Sequence, residues 1–122
     1  MNTLKVLLVD DEEDFVTTLS ERLQLRGIQA QSATDGESAL RMIEDSPPQV
    51  AVVDVMMPGI SGIEVLKRIK DQNPQIPVIL LTGHGSTKEG IKGMQLGAFD
   101  YLMKPLNIDE LIKKMEEAVK VS

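Results

Sequence analysis

The sequence predicts an α/β domain in which five parallel strands alternate with five helices, a doubly wound, flavodoxin-like (βα)5 fold. Three observations predict it. Short apolar runs rich in β-branched residues recur along the chain, above all at 4–9, 50–54 and 77–81. Each is followed within a few residues by apolar positions at helical spacing. Each also stops abruptly on a polar or turn-forming group, Asp10, Asp54, Thr82 or Lys104, which places those groups at strand ends.

Residues 4–9 form a nearly continuous apolar run that stops at Asp10, Asp11, Glu12 and Glu13, after which Phe15, Leu19 and Leu23 recur at helical spacing. This is strand, acidic turn and helix, closed by Gly27. The helix macrodipole favours negative charge at such a start and accounts for Glu12 and Glu13. It does not account for two adjacent aspartates at the end of a buried strand. Residues 28–33 alternate apolar with polar and predict a half-exposed strand near a sheet edge. Asp35 and Gly36 turn the chain into a short helix with Ala39, Leu40 and Ile43 inward, ended by Pro47 and Pro48.

Val50 to Asp54 is the run around which the chain is organised, because it delivers one carboxylate to a loop broken by Pro58, Gly59 and Gly62. Ser61 and Glu64 have capping-box spacing, and Ile63, Leu66 and Ile69 give the third helix its apolar face. The run at 77–81 is apolar throughout, hence central, and ends on Thr82 and Gly83. Ser86 and Glu89 repeat the capping spacing ahead of Ile91 and Met94. Gly90 and Gly93 fall inside that helix, each costing about 1 kcal/mol relative to alanine, so a short, frayed or mobile helix is expected. Gly97 closes it, 99–103 is a short last strand, and Lys104 and Pro105 break it. Asn107 caps the final helix, whose stripe is Ile108, Leu111, Ile112, Met115, Ala118 and Val119. Met42, Met94, Met103 and Met115 are expected to fill the core.

Right-handed crossovers turn five such units into a parallel sheet with helices on both faces. The three most apolar strands belong in the middle, which gives the order 2-1-3-4-5. With 122 residues the chain is expected to be one domain over 1–122. At 42% hydrophobic and 26% charged, its composition is that of a globular protein without a bilayer-length apolar segment. A net charge of −6 argues against direct nucleic-acid binding, which needs clustered Lys and Arg. No cysteine and no cleavable signal fit a cytoplasmic location.

In a parallel sheet all strands end on one edge, and ligands bind where the strand order reverses, here between the first and third strands. Asp10, Asp11, Asp54, Thr82 and Lys104 are therefore expected at one cleft mouth. Three carboxylates against one ammonium must take up a proton or a cation. Oxygen donors without cysteine, and with His84 as the one histidine, suit Mg²⁺ better than zinc. A divalent cation there leaves positions for phosphate oxygens, with Lys104 and Thr82 to hold them. The constellation predicts phosphoryl chemistry on a carboxylate nucleophile.

The joint order of these pieces resembles the receiver domain of two-component response regulators, the CheY-like superfamily, over essentially the whole chain. The matching residues are Asp10 and Asp11; Asp54, Met57, Pro58, Gly59 and Gly62; Leu81, Thr82 and Gly83; and Gly97, Ala98, Asp100, Tyr101, Leu102, Lys104 and Pro105. The resemblance implies that Asp54 is phosphorylated from the phosphohistidine of a sensor histidine kinase or phosphotransfer protein. It implies that Asp10, Asp11, Asp54 and the backbone carbonyl of Met56 hold Mg²⁺, and that Lys104 pairs with the phosphoryl group ahead of a cis Pro105. Thr82 and Tyr101 are similar to the family's switch pair, acting on the surface of the fourth helix, fifth strand and fifth helix, where partners or a second copy bind. Such a domain is not an enzyme on other substrates; it catalyses only its own phosphorylation and a slow dephosphorylation, here with the apolar Met56 as a water shield. His84 is expected to be a solvated bystander.

Two other classes are open on the residues alone. A magnesium-dependent phosphohydrolase commonly places a second carboxylate two residues after the nucleophile, where this chain has Met56. A phosphate-independent interaction module could keep the fold without the chemistry. The chain ends at Val121 and Ser122, which fits either a stand-alone domain or the front of a longer regulator with its own output domain.

Overall fold

The computed structural model describes residues 4–83 and 87–121. The elements alternate as β1 (Lys5–Val9), α1 (Glu13–Leu25), β2 (Gln29–Ala33), α2 (Gly36–Asp45), β3 (Val50–Asp54), α3 (Gly62–Gln72), β4 (Val78–Thr82), α4 (Thr87–Gln95), β5 (Asp100–Met103) and α5 (Ile108–Val121). All four strand pairings are parallel and the order is β2-β1-β3-β4-β5, as the apolar content of the strands predicts.

The pleat sorts the core. Leu7, Val9, Ala51, Val53, Val78 and Leu80 face α2, α3 and α4. Their neighbours Val6, Leu8, Val50, Val52, Ile79 and Leu81 face α1 and α5. Both faces of β3 and β4 are covered, so every residue of these strands is buried, which is why their sequences are apolar without alternation. The alternating β2 lies at one edge.

Helix ends follow their local chemistry. Gly27 sits at φ 79°, with its N–H on the Gln24 carbonyl and the Ile28 N–H on the Leu23 carbonyl. This is a Schellman ending, and it holds Ile28 out of the strand expected to begin there. Side chains of Asp35, Ser61 and Asn107 accept from Ser38, Glu64 and Glu110 N–H at 2.8, 3.2 and 3.0 Å. The cap expected at Ser86 lies outside the described residues, as does His84.

Helix α4 departs from expectation in one respect. Met94 is expected to fill the core, yet it is 41% exposed, its helix neighbour Ile91 is 50% exposed, and Met103 on β5 is 49% exposed rather than core. The cause is that Gly90 and Gly93 face the sheet. A Cβ at Gly93 would lie 2.1 Å from Leu80 Cδ1, and one at Gly90 would lie 2.9 Å from the Tyr101 ring. The glycines bring the helix backbone close to β4 and β5, and so turn the apolar side chains outward. Met42 is half-buried and Met115 fully buried, as filler should be. Among the described residues no helix is long and apolar enough to cross a membrane.

Candidate functional site

The same pleat decides which strand-end groups meet. Asp10 and Lys104 each lie one residue past a strand, but the ladders carry on to them: Asp10 N–H donates to Ala33 O at 3.1 Å, and Lys104 N–H to Thr82 O at 2.8 Å. Asp10, Asp54 and Lys104 continue the rows of Leu8, Val52 and Leu102, which face α1 and α5. Thr82 continues the row of Leu80, which faces α4.

Three of the predicted groups are accordingly in contact. Lys104 Nζ lies 2.6 Å from Asp10 Oδ2 and 3.6 Å from Asp54 Oδ1. Asp10 and Asp54 are buried, while Asp11 is exposed at the rim. One oxygen from each of Asp10, Asp11 and Asp54 falls within a group whose members are all within 4.8 Å of one another. Gly62 holds the floor of this arrangement: a Cβ there would meet the Asp54 carbonyl oxygen at 2.1 Å, and its N–H donates to Val55 O at 3.1 Å. Gly59, at φ 77°, supplies the left-handed turn between β3 and α3.

The electrostatics follow from burial and crowding. Burial, with the charges of Asp10 and Asp11 added, pushes the Asp54 carboxyl up to about 6 against the pull of Lys104. Burial works against the Lys104 ammonium, but hydrogen bonds to Asp10 and Glu12 and the charge of Asp54 outweigh it and hold its pKa above the usual lysine value. The acids are short of positive charge, and their donors are all hard oxygens, so the residues fit a divalent cation such as Mg²⁺.

Thr82 is brought to the same edge but not to the acids. Its buried hydroxyl donates to Leu102 O at 3.4 Å, and its methyl carbon and the half-buried Tyr101 ring both lie against Gly90. The Met56 side chain is 61% exposed beside the site. The Lys104 to Pro105 peptide bond is cis, as the resemblance implies.

Two contacts escape a sequence reading. Glu12 Oε1 lies 3.1 Å from Lys104 Nζ, and the Phe15 ring centroid lies 4.6 Å from it. The signal for Glu12 is its place two residues beyond a strand-end aspartate, where the chain turns back over the rim. Asp10 Oδ1 accepts the Glu12 N–H at 3.0 Å and fixes that turn. For Phe15, helical spacing alone points to the core.

The family model described as response regulator receiver domain matches residues 6–116. Transcriptional regulatory protein CpxR of Klebsiella pneumoniae is 42% identical over 118 residues, which is 97% of this chain and 50% of that protein. The alkaline phosphatase synthesis transcriptional regulatory protein PhoP of Bacillus subtilis is 37% identical over 118 residues, 97% of this chain and 49% of that protein. The chain thus spans about half the length of these curated relatives. A solved response regulator receiver domain protein from Clostridium thermocellum superposes with a TM-score of 0.92 at 32% identity, covering 96% of this chain and 94% of that one. With family model, relatives and fold in agreement, the chain belongs to the response regulator receiver domain family of two-component signalling.

Proposed function

We propose that residues 1–122 act as one phosphoacceptor receiver domain in which Asp54 takes a phosphoryl group from a phosphohistidine. The carboxylate oxygen of Asp54 forms the new O–P bond as the N–P bond of the donor breaks, and the imidazole leaves as a neutral ring once protonated. The observation that carries this reading is the buried Asp54 carboxylate, with a pKa of about 6, placed between one ammonium and two further acids. Near neutral pH it is mostly ionised and therefore nucleophilic.

Asp10, Asp11 and Asp54, with the backbone carbonyl of Met56, are the groups that would hold Mg²⁺, which when bound neutralises the acids and the incoming phosphoryl oxygens. Lys104 stands on the rim to pair with a phosphoryl oxygen, in place of its present contacts with carboxylates. Thr82 has a hydroxyl able to exchange its long bond to Leu102 for a phosphoryl oxygen, and the neighbouring Tyr101 ring would follow it. Reaction on other substrates is not part of this reading, and Met56 offers no acid two residues past the nucleophile.

The donor would be a sensor histidine kinase or phosphotransfer protein. An open cavity of about 370 Å³ lined by Phe15, Leu19, Arg22, Leu106 and Ile108 adjoins Lys104 through Phe15 and gives such a partner a place to dock. The exposed Ile91, Met94 and Met103 support the α4-β5-α5 face as the output surface, for a partner, a second copy or an attached output domain.

Phosphotransfer from a panel of histidine kinases in the presence of Mg²⁺, read as a mobility shift on Phos-tag gels, tests the proposal. Label on the unsubstituted chain and none on Asp54→Ala supports it. Equal labelling of both, or none from any kinase or from acetyl phosphate, overturns it.

A further inference from the structure

We propose that Glu12 is a positioning residue that keeps the Lys104 ammonium paired when Asp10 turns an oxygen to a divalent cation. The proposal rests on the reading of Asp10, Asp11 and Asp54 as the cation-binding acids, and extends it to a side chain outside that cluster.

Both oxygens of Asp10 are engaged. Oδ1 accepts from the Glu12 N–H at 3.0 Å, and Oδ2 from Lys104 Nζ at 2.6 Å. A cation drawing on Asp10 competes with that ammonium for its oxygens, and the two positive charges repel at close range. Lys104 needs a second anion that is not itself drawn to the cation. Asp54 cannot serve, because it belongs to the same cluster and lies 3.6 Å away.

Glu12 meets the requirement. Its carboxylate touches Lys104 at 3.1 Å, and the three acids grouped within 4.8 Å do not include it. Its side chain is 66% exposed, so it reaches the ammonium from the solvent side, opposite the buried Asp10. The Phe15 ring, 4.6 Å from Nζ, gives the ammonium a further neighbour on the α1 side. Asp10, by fixing the backbone at Glu12, sets the position of its own replacement.

Exposed ion pairs contribute little to stability, so the effect belongs in cation affinity rather than in folding. The test is a double-mutant cycle read as the Mg²⁺ dissociation constant, from amide shifts in an NMR titration. Glu12→Gln is expected to weaken Mg²⁺ binding about 3- to 10-fold. Glu13→Gln, which removes the same charge one residue along, is expected to change it less than about 2-fold. In a Lys104→Met background, Glu12→Gln is expected to have no effect. Unchanged amide shifts away from the rim would show that each variant is folded.

A loss of the same size in the Lys104→Met background would overturn the proposal, since Glu12 would then act on the cation directly. Equal losses for Glu12→Gln and Glu13→Gln would overturn it in favour of bulk charge, and no loss for Glu12→Gln would overturn it outright. Failure of the unsubstituted chain to bind Mg²⁺ at all would instead overturn the cation site, and Glu12 with it.

Discussion

Gly62 lies so close to Asp54 that a Cβ on it would stand 2.1 Å from the Asp54 carbonyl oxygen and 2.7 Å from Val55 Cα. Both obstacles are backbone of a buried strand and its exit, and neither can swing aside as a side chain would. Gly62→Ala is therefore expected to cost about 3 kcal/mol of stability. The neighbouring Ser61→Ala, which removes only a helix cap, is expected to cost about 1 kcal/mol. Urea midpoints of the two variants check this. A loss at position 62 no greater than at position 61 would mean that α3 can back away from the loop, and that the glycine does not set the height of the site floor.

The glycines of α4 carry a second prediction, because two accounts of them give opposite signs. Were they present only to loosen the helix, alanine at either position would stabilise by about 1 kcal/mol. At Gly93 the Cβ meets Leu80, which is fully buried and has nowhere to go. Gly93→Ala is expected to destabilise by about 1–3 kcal/mol despite the better propensity. At Gly90 the obstacle is the half-buried ring of Tyr101, which can shift. Gly90→Ala is expected to be nearly neutral and to move the ring resonances of Tyr101, the one tyrosine in the chain. Stabilisation at position 93 would refute the close-approach account.

This helix also shows where the sequence stops being legible. Strand order, helix count and the convergence of Asp10, Asp54 and Lys104 follow from apolar runs and their ends, because burial on both faces and parallel pairing leave little choice. Met94 reads as core from the sequence, since hydrophobicity is the usual guide to a buried face. That guide fails here because α4 buries its two glycines while Ile91 and Met94 face out, and closeness of approach leaves no mark on a periodicity count. The same limit hid Glu12: its place at a helix start had a sufficient local explanation, and its contact with a lysine 92 positions away had no local signal. Counting in twos along β4 and β5 puts Thr82 and Tyr101 on the α4 side and Lys104 on the other.

The pH dependence of stability should bear the sign of Asp54. Its carboxyl has a pKa raised from 3.8 to about 6 in the fold, so the folded state holds a proton there that the unfolded state has released. The corresponding stability is fully present below about pH 3.8 and is lost as pH rises through about 6. At pH 7 without metal, Asp54→Asn is expected to stabilise the chain by about 1–3 kcal/mol, the value of the relieved ionisation cost. At pH 4 the same substitution is expected to be close to neutral. Thermal melts of both proteins at the two pH values check it. Mg²⁺ is expected to raise the melting temperature of the unsubstituted chain at pH 7 and to leave Asp54→Asn nearly unmoved. An advantage for Asn at pH 4 as large as at pH 7 would place the cause in packing rather than in charge.

Thr82 is the group whose proposed role asks most of a single bond. Its hydroxyl is wholly buried, and the described structure gives it one partner, Leu102 O at a long 3.4 Å. Giving up a bond of that length costs little, which suits a hydroxyl meant to change partners. Thr82→Val keeps the shape and removes the donor, so it is expected to cost no more than about 1 kcal/mol of stability. Its effect should lie elsewhere. With beryllofluoride and Mg²⁺ as a phosphoryl mimic, amide shifts at Tyr101 and along α4 are expected to be large in the unsubstituted chain and in Thr82→Ser. In Thr82→Val they are expected to shrink to a small fraction of that, because a ligand shifts a two-state element only through contacts that differ between the states. A full response from the valine variant would remove Thr82 from the switch and leave the Tyr101 ring to be moved by the charge at Asp54 alone.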